Sequence, residues 1–190
     1  EMYAEALTPR LRDERPAVRR AAVEALGGLE PASLAGPGLA GSVAQRLEDE
    51  CAGVRLAALR AIGKLEPERL AERAHLVAKR IKLDDDAAVR RAAMEAFGRM
   101  APAALLANAG AVLEQLEDSD AGMRALALAA LSNMPPASLA AHGGAITRMA
   151  GDEDEGVRRA AVEALCSLEP PALAERAGAL ASALAPAGAA

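Results

Sequence analysis

The 190-residue sequence repeats one motif five times. A Val-Arg pair, with Met replacing Val once, follows an Asp by five residues, and a Pro lies thirteen residues after the Val. Successive copies start 36, 35, 34 and 34 residues apart. Self-similarity at such a period is typical of chains that stack one supersecondary unit on the next. The sequence therefore predicts a linear repeat array rather than a fold around one closed core.

Each repeat contains two segments with helical periodicity. In the third copy, apolar residues fall at Val89, Ala93, Ala96, Phe97 and Met100, which is the spacing of one face of an α-helix. A second periodic segment follows the Pro, a residue that is favoured in the first turn of a helix. Each repeat is therefore predicted to be a pair of antiparallel helices.

These motifs resemble the HEAT repeat family, in which an acidic turn precedes a second helix that begins near Asp-x-x-x-x-Val-Arg-x-x-Ala. The period is shorter than the 40–47 residues usual for that family. The resemblance implies an all-α, right-handed α-solenoid of about eleven helices. It implies first helices near residues 2–11, 33–47, 68–82, 103–116, 137–150 and 171–184. It implies second helices near residues 16–29, 51–65, 86–100, 120–134 and 154–168.

The resemblance covers nearly the whole chain and predicts its organisation. We expect one repeat array over residues 1–184, with a partial repeat at each end, and a flexible tail over residues 185–190. The sequence opens inside a first helix without a preceding Pro turn. Because solenoids need polar terminal caps, this opening predicts a longer array or an end covered by another molecule.

Composition narrows the classes of partner. The net charge of −5 argues against nucleic acid as the main partner, because contacts with phosphates need a basic surface. No apolar stretch approaches the roughly 20 residues needed to cross a bilayer, so no direct membrane span is expected, and association with a membrane complex stays open. We expect protein partners, and a monomeric array in isolation.

The Asp and Arg columns are charged at every copy and could meet a ligand. We favour a structural role, in which each Asp caps a helix or pairs with an Arg of its own or a neighbouring repeat. Partly exposed pairs of this kind contribute roughly 0.2–1 kcal/mol each. This structural ladder comprises Asp13, Asp49, Asp84, Asp118 and Asp152 with Arg19, Arg55, Arg90, Arg124 and Arg158.

The residue patterns of catalytic and cofactor sites are missing. His75 and His142 lie two repeats apart, with no Cys, His or paired carboxylate at the spacing of metal ligands. The Gly-rich stretch at residues 36–38 lacks the Lys-Ser or Lys-Thr of a phosphate loop and instead predicts a break in the first helix. We therefore expect no catalytic residue, no metal and no cofactor, and a chain that is not an enzyme.

A binding surface is expected on the second helices, where stacked helix pairs present an extended concave face. Two copies place apolar residues at outward positions that carry Arg-Glu pairs in the other three. The candidate partner-binding residues are Leu56, Arg60, Ala125, Ala129 and Asn133. The predicted function is a protein-binding scaffold or adaptor, part of a longer chain or larger assembly. Two alternatives are a linker subunit of a large, for example photosynthetic, complex and a subunit similar to phycobilisome lyases.

Overall fold

The computed structural model describes residues 2–36 and 38–184, and these residues are helices joined by short turns. The backbone falls into two compact units, Glu1–Ala104 and Leu105–Ala190. The predicted tail at residues 185–190 lies outside the described residues. The prediction of a single array over residues 1–184 stays a prediction.

The helices of the first unit alternate between first-helix segments and second helices. In chain order they are α1 (Met2–Leu7), α2 (Pro16–Gly27), α3 (Pro31–Leu34), α4 (Leu39–Ala44), α5 (Ala52–Ile62), α6 (Pro67–Ala71), α7 (Ala74–Leu83) and α8 (Ala87–Gly98). Short 3₁₀ segments follow α1 and α4, at Thr8–Arg12 and Gln45–Glu48. Helix α9 (Pro102–Ala107) begins at the end of this unit.

The second unit continues the same alternation. Its helices are α10 (Ala109–Leu113), α11 (Ala121–Ser132), α12 (Pro136–Ala140), α13 (Gly143–Met149), α14 (Glu155–Cys166), α15 (Pro170–Ala174) and α16 (Ala177–Leu184). A 3₁₀ segment at Glu114–Glu117 follows α10. The five second helices, α2, α5, α8, α11 and α14, lie within the predicted ranges and end two or three residues earlier than predicted.

The first helices are divided in every repeat, so the prediction of about eleven helices is too low. From the sequence, a break was predicted only at residues 36–38, where Gly38 adopts a left-handed φ of 76°. Elsewhere the break needs neither Gly nor Pro. Arg73 sits between α6 and α7 with φ −113° and ψ 11°, and its Nη1 donates to the carbonyl oxygen of Arg69 at 2.6 Å. The side chain thus satisfies a carbonyl at the helix end, where intrahelical partners run out.

The predicted apolar face of the second helices is confirmed as core. In the third copy, the four residues of the predicted face that lie in α8, and Met100 just after it, are at most 4% exposed. A further buried column lies five residues after the motif Val or Met and was not predicted: Val23, Leu59, Met94 and Leu128, none more than 1% exposed. This second column is buried because a second helix packs on more than one neighbour, as α5 does against α2 and α8.

Candidate protein-binding surface

Acidic residues fix where the second helices begin. The carboxylate of Asp86 accepts hydrogen bonds from the backbone N–H groups of Ala88 and Val89, and Asp120 and Asp154 cap α11 and α14 in the same way. Each of these three N-cap residues stands two residues after a ladder Asp, and Asp is among the residues favoured at this position. At the starts of α2 and α5, the side chains of the cap residues Arg15 and Cys51 accept no hydrogen bond from the backbone N–H groups.

The ladder residues hold the turn between the two helices of a repeat. In all five copies the Asp carboxylate accepts from the backbone N–H two residues later, at 2.8–3.1 Å. In all five copies the Arg Nη1 donates to the carbonyl oxygen of the Asp in its own repeat, at 2.9–3.1 Å. Each turn is therefore closed locally by both side chains.

Three ladder pairs also join consecutive repeats through two parallel hydrogen bonds. Arg55 donates from Nε and Nη2 to the two carboxylate oxygens of Asp84, both at 2.7 Å. The pairs Arg19–Asp49 and Arg124–Asp152 have the same geometry, at 2.7–2.9 Å. The expectation of partly exposed pairs is wrong here, because none of these six side chains is more than 9% exposed.

The ladder arginines shift the titration of their partners. Burial alone would raise the pKa of Asp84, but hydrogen bonds from Arg55 and from the backbone N–H of Asp86 outweigh burial and lower the pKa. The same balance lowers the pKa of Asp49. For Asp152 the hydrogen bond from Arg124 is the main cause of a lowered pKa and burial opposes it. These carboxylates therefore favour the ionised state in the folded protein.

We expect acid to unfold the protein by protonating these carboxylates. Because the folded-state pKa lies below the unfolded value of about 3.9, the stabilisation is complete above that pH and is lost as pH falls through the folded pKa. Urea denaturation at a series of pH values should show a falling midpoint below about pH 4. The difference between the wild type and Asp84→Asn should shrink with acid, whereas the exposed Glu24→Gln should follow the wild type throughout.

The outward face of the second helices in the first unit is basic. Positions two, six and ten residues after the motif Val carry five exposed basic side chains and two exposed acidic ones. We call the basic set the basic face: Arg20, Arg60, Lys64, Arg91 and Arg99. Of these five residues, only Arg60 was predicted to bind a partner. Continuing the helical spacing from Leu56 and Arg60 by four more residues would have found Lys64.

A groove of about 250 Å³ lies between α2 and α5 within this face. Leu56, Ala57 and Ala61 supply its apolar lining. Its charged lining comprises the basic residues Arg20, Arg60 and Lys64 and one acidic residue, Glu24. The structure thus brings two predicted binding residues, Leu56 and Arg60, to one concave feature.

Small residues shape this groove. Gly27 packs so closely on α5 that a Cβ at its position would lie 2.8 Å from the Cβ of Ala61. A Cβ at Gly53 would lie 3.6 Å from Cδ of Arg20, an ordinary van der Waals contact, so Gly53 lies beside that side chain. Lys64 closes one end by donating from Nζ to the carbonyl oxygen of Gly27 at 2.6 Å. The close approach at Gly27, which was not predicted as part of the surface, therefore brings α2 and α5 together along this groove.

The remaining candidate residues lie on the second unit. Ala129 and Asn133 are exposed and Ala125 is half-buried, and the three line up along α11 and its C-terminal end. They form an apolar and uncharged strip, in contrast to the basic face of the first unit. Among the described residues, no three His, Cys, Asp or Glu side chains are grouped so that they could hold a metal ion. None of the described helices is long and apolar enough to cross a membrane.

The comparisons with known proteins agree with this architecture. The sequence profile of HEAT repeats matches residues 4–98. The chain belongs to the HEAT repeat family. None of the curated proteins matches the sequence.

Solved structures of repeat proteins share the fold. One designed armadillo repeat protein is 15% identical, with a TM-score of 0.74 over 96% of this chain and 93% of that chain. Another, in complex with the peptide (KR)4, is 19% identical, with a TM-score of 0.73 over 86% of this chain and 80% of that chain. The complex of CpcE and CpcF of phycocyanin lyase from Nostoc sp. PCC7120 is 16% identical, with a TM-score of 0.64 over 86% of this chain and 98% of that chain. At such identities the likeness concerns the fold alone, and it confirms the predicted all-α solenoid class.

Proposed function

We propose that this protein is a non-enzymatic scaffold that binds other proteins through its second helices, as part of a longer chain or larger assembly. The observation that carries the proposal is the groove between α2 and α5, which combines an apolar lining with exposed basic groups. Interface centres favour Arg together with apolar groups. Stacked helix pairs also provide extended surfaces rather than the enclosed pockets in which small substrates are bound.

The designed armadillo repeat protein with a bound peptide supports a peptide partner for this protein. The charge of that partner should differ from the charge of the bound peptide. The designed protein is in complex with the peptide (KR)4, which alternates Lys and Arg residues. The first unit of this protein presents mostly basic side chains on its second helices, which would repel such a ligand. We therefore propose that the mode of binding resembles that of the designed protein and that the preferred sequence does not.

The proposal predicts that charge introduced on the second helices weakens partner capture without unfolding the protein. Leu56→Glu and Ala129→Glu together place a carboxylate on the candidate surface of each unit, at half-buried and exposed positions. We expect the melting temperature to fall by no more than about 4 °C, since surface changes cost little. Capture of partners by the immobilised variant from its native extract, measured by quantitative mass spectrometry, should fall several-fold.

The matched control is Ala32→Glu with Ala137→Glu, which adds the same charge to exposed positions at the start of α3 and α12 on the first helices. This variant should capture partners as the wild type does. Equal capture by the Leu56/Ala129 variant, with loss in the control, would move the binding surface to the first helices.

A second candidate function is a lyase subunit that acts on a bilin-bearing protein, favoured by the fold shared with the phycocyanin lyase complex. A linker subunit of a large complex, such as a photosynthetic one, is a third. Absorbance of the purified protein mixed with bilin and acceptor protein tests the lyase. A shifted absorption band that persists on the acceptor after denaturation would favour the lyase over the scaffold.

A further inference from the structure

The basic face of the first unit has a charge opposite to that of the protein. The whole chain carries a net charge of −5, yet this face has five exposed basic side chains and only Glu24 and Glu95 as exposed acidic ones. If surface charges were distributed at random, this face would be acidic, like the chain as a whole. A local excess of the opposite sign selects partners by electrostatic complementarity and speeds their encounter.

Part of this basic charge has no partner within the protein. The guanidinium groups of Arg60 and Arg99 are exposed. Over residues 2–36 and 38–184 they donate no hydrogen bond and form no ion pair with a carboxylate. Arg20, in contrast, lies 3.6 Å from a carboxylate oxygen of Glu24, and Lys64 is held by the carbonyl oxygen of Gly27. Arg60 and Arg99 are therefore available to bind carboxylates of another molecule.

The groove adds an apolar requirement. Leu56 is half-buried and lines the groove together with Arg20 and Arg60, and the buried residues Ala57 and Ala61 line it as well. At about 250 Å³ the groove is below the size of most small-molecule sites and holds one or two side chains. Neutral apolar groups enter such a site with a gain from burial, whereas a charged group loses its hydration.

We propose that the groove and the basic face bind an acidic peptide segment that carries one apolar side chain. The apolar side chain lies against Leu56 between α2 and α5, and flanking Asp or Glu residues pair with Arg60 and Arg99. This inference rests on the proposed scaffold function and specifies the chemistry of its partner. Paired hydrogen bonds between an Arg and a carboxylate fix the orientation of the bound peptide and also strengthen its binding.

Nucleic acid fits the same surface less well. Single-stranded nucleic acids are bound by stacking bases on aromatic side chains, and this chain has one Tyr and one Phe. The Phe, Phe97, is fully buried. The apolar groove beside Leu56 would not stabilise a charged phosphate backbone. We therefore assign the basic face to a peptide.

The test uses fluorescence anisotropy with the full chain and labelled peptides of about twelve residues. One peptide alternates Asp and Glu around a central Leu, a second replaces that Leu with Ser, and a third carries Lys and Arg around Leu. We expect the first to bind, the second to bind several-fold more weakly and the third not to bind. Raising the salt from about 50 mM to about 300 mM should weaken binding of the first peptide severalfold.

The variants Arg60→Glu and Arg99→Glu should each weaken binding of the acidic Leu peptide about tenfold. Arg12→Glu, which makes the same charge change at an exposed position before the first ladder Asp, should change it by less than about twofold. Equal loss in all three variants would assign binding to overall charge and overturn the proposal. Tighter binding of a single-stranded oligonucleotide than of the acidic peptide would also overturn it.

Failure here is distinguishable from failure of the scaffold function. If the acidic peptide does not bind, the proposed partner chemistry is wrong. The second helices would still be the binding surface in that case if the Leu56/Ala129 variant no longer captured native partners.

Discussion

Arg55→Ala should destabilise the protein by about 3–5 kcal/mol, the cost of leaving a buried charge without its partner. The side chain of Asp84 is fully buried, and Arg55 supplies its two shortest hydrogen bonds. After the substitution, Asp84 keeps the backbone N–H of Asp86 and a longer contact of 3.4 Å with Arg80. Arg55 also donates to the carbonyl oxygens of Asp49 and Glu50, so the turn before α5 loses two partners as well.

Urea denaturation followed by circular dichroism measures this effect, and α5 offers a matched control. Arg60 lies on the same helix, is exposed and makes no ion pair over the described residues. Arg60→Ala should therefore change the free energy of unfolding by about 0.5 kcal/mol or less. Equal effects of the two substitutions would mean that solvent reaches the Arg55–Asp84 pair and screens it.

The ladder shows what the sequence could and could not determine. The recurrence of Asp and Arg predicted a structural role, but either the same repeat or a neighbouring one could have supplied the partner. In the structure Arg55 uses both: Nη1 reaches its own turn and the other two nitrogens reach Asp84 of the next repeat. Burial of the pair depends on the register of stacking, which is a property of two repeats together. The contribution of the pair to stability is therefore larger than the sequence of a single repeat predicted.

Some helix boundaries were predictable from the sequence of one repeat, and others were not. Caps are local, so the acidic residues at the starts of α8, α11 and α14 were predictable from sequence. The breaks in the first helices were not, because their junction residues differ between repeats. Arg73, Asn108 and His142 occupy this place with similar backbone angles, φ −102° to −120° and ψ 0° to 17°. The shared conformation thus reflects the shared position in the repeat rather than one residue type.

The groove was predicted in part, for a physical reason. Leu56 and Arg60 were found because they depart from an Arg-Glu pattern, and departures are visible in a repeating sequence. Lys64 was not predicted, although it lies ten residues after its motif Val, at the position that Asn133 occupies in the fourth copy. The depth of the groove depends on the close approach of α2 to α5 at Gly27, and contact between two helices cannot be read from the pattern of either one alone.

Gly27→Leu should destabilise the first unit by about 1–3 kcal/mol, because it forces a side chain between two helices in contact. Gly27 is buried, and the Cβ of a substituted residue would lie 2.8 Å from the Cβ and 3.2 Å from the Cα of Ala61. The second of these atoms is backbone, so α5 itself must move. Replacing Gly27, the last residue of α2, would favour the helix by up to about 1 kcal/mol, and the overlap must exceed that gain.

The control for this substitution is Gly41→Leu, which also removes a helical glycine, in α4. A Cβ at Gly41 would meet no atom within 4 Å, so Gly41→Leu should leave the stability unchanged or raise it. Thermal melting of both variants, with urea denaturation to obtain free energies, separates steric overlap from helix propensity. If Gly27→Leu melted together with Gly41→Leu, α2 and α5 would have to be farther apart in solution, and the groove beside Leu56 would be wider than described. Because Gly27 lines that groove, a displaced α5 should also weaken binding of the acidic peptide, which links the packing of the two helices to the surface between them.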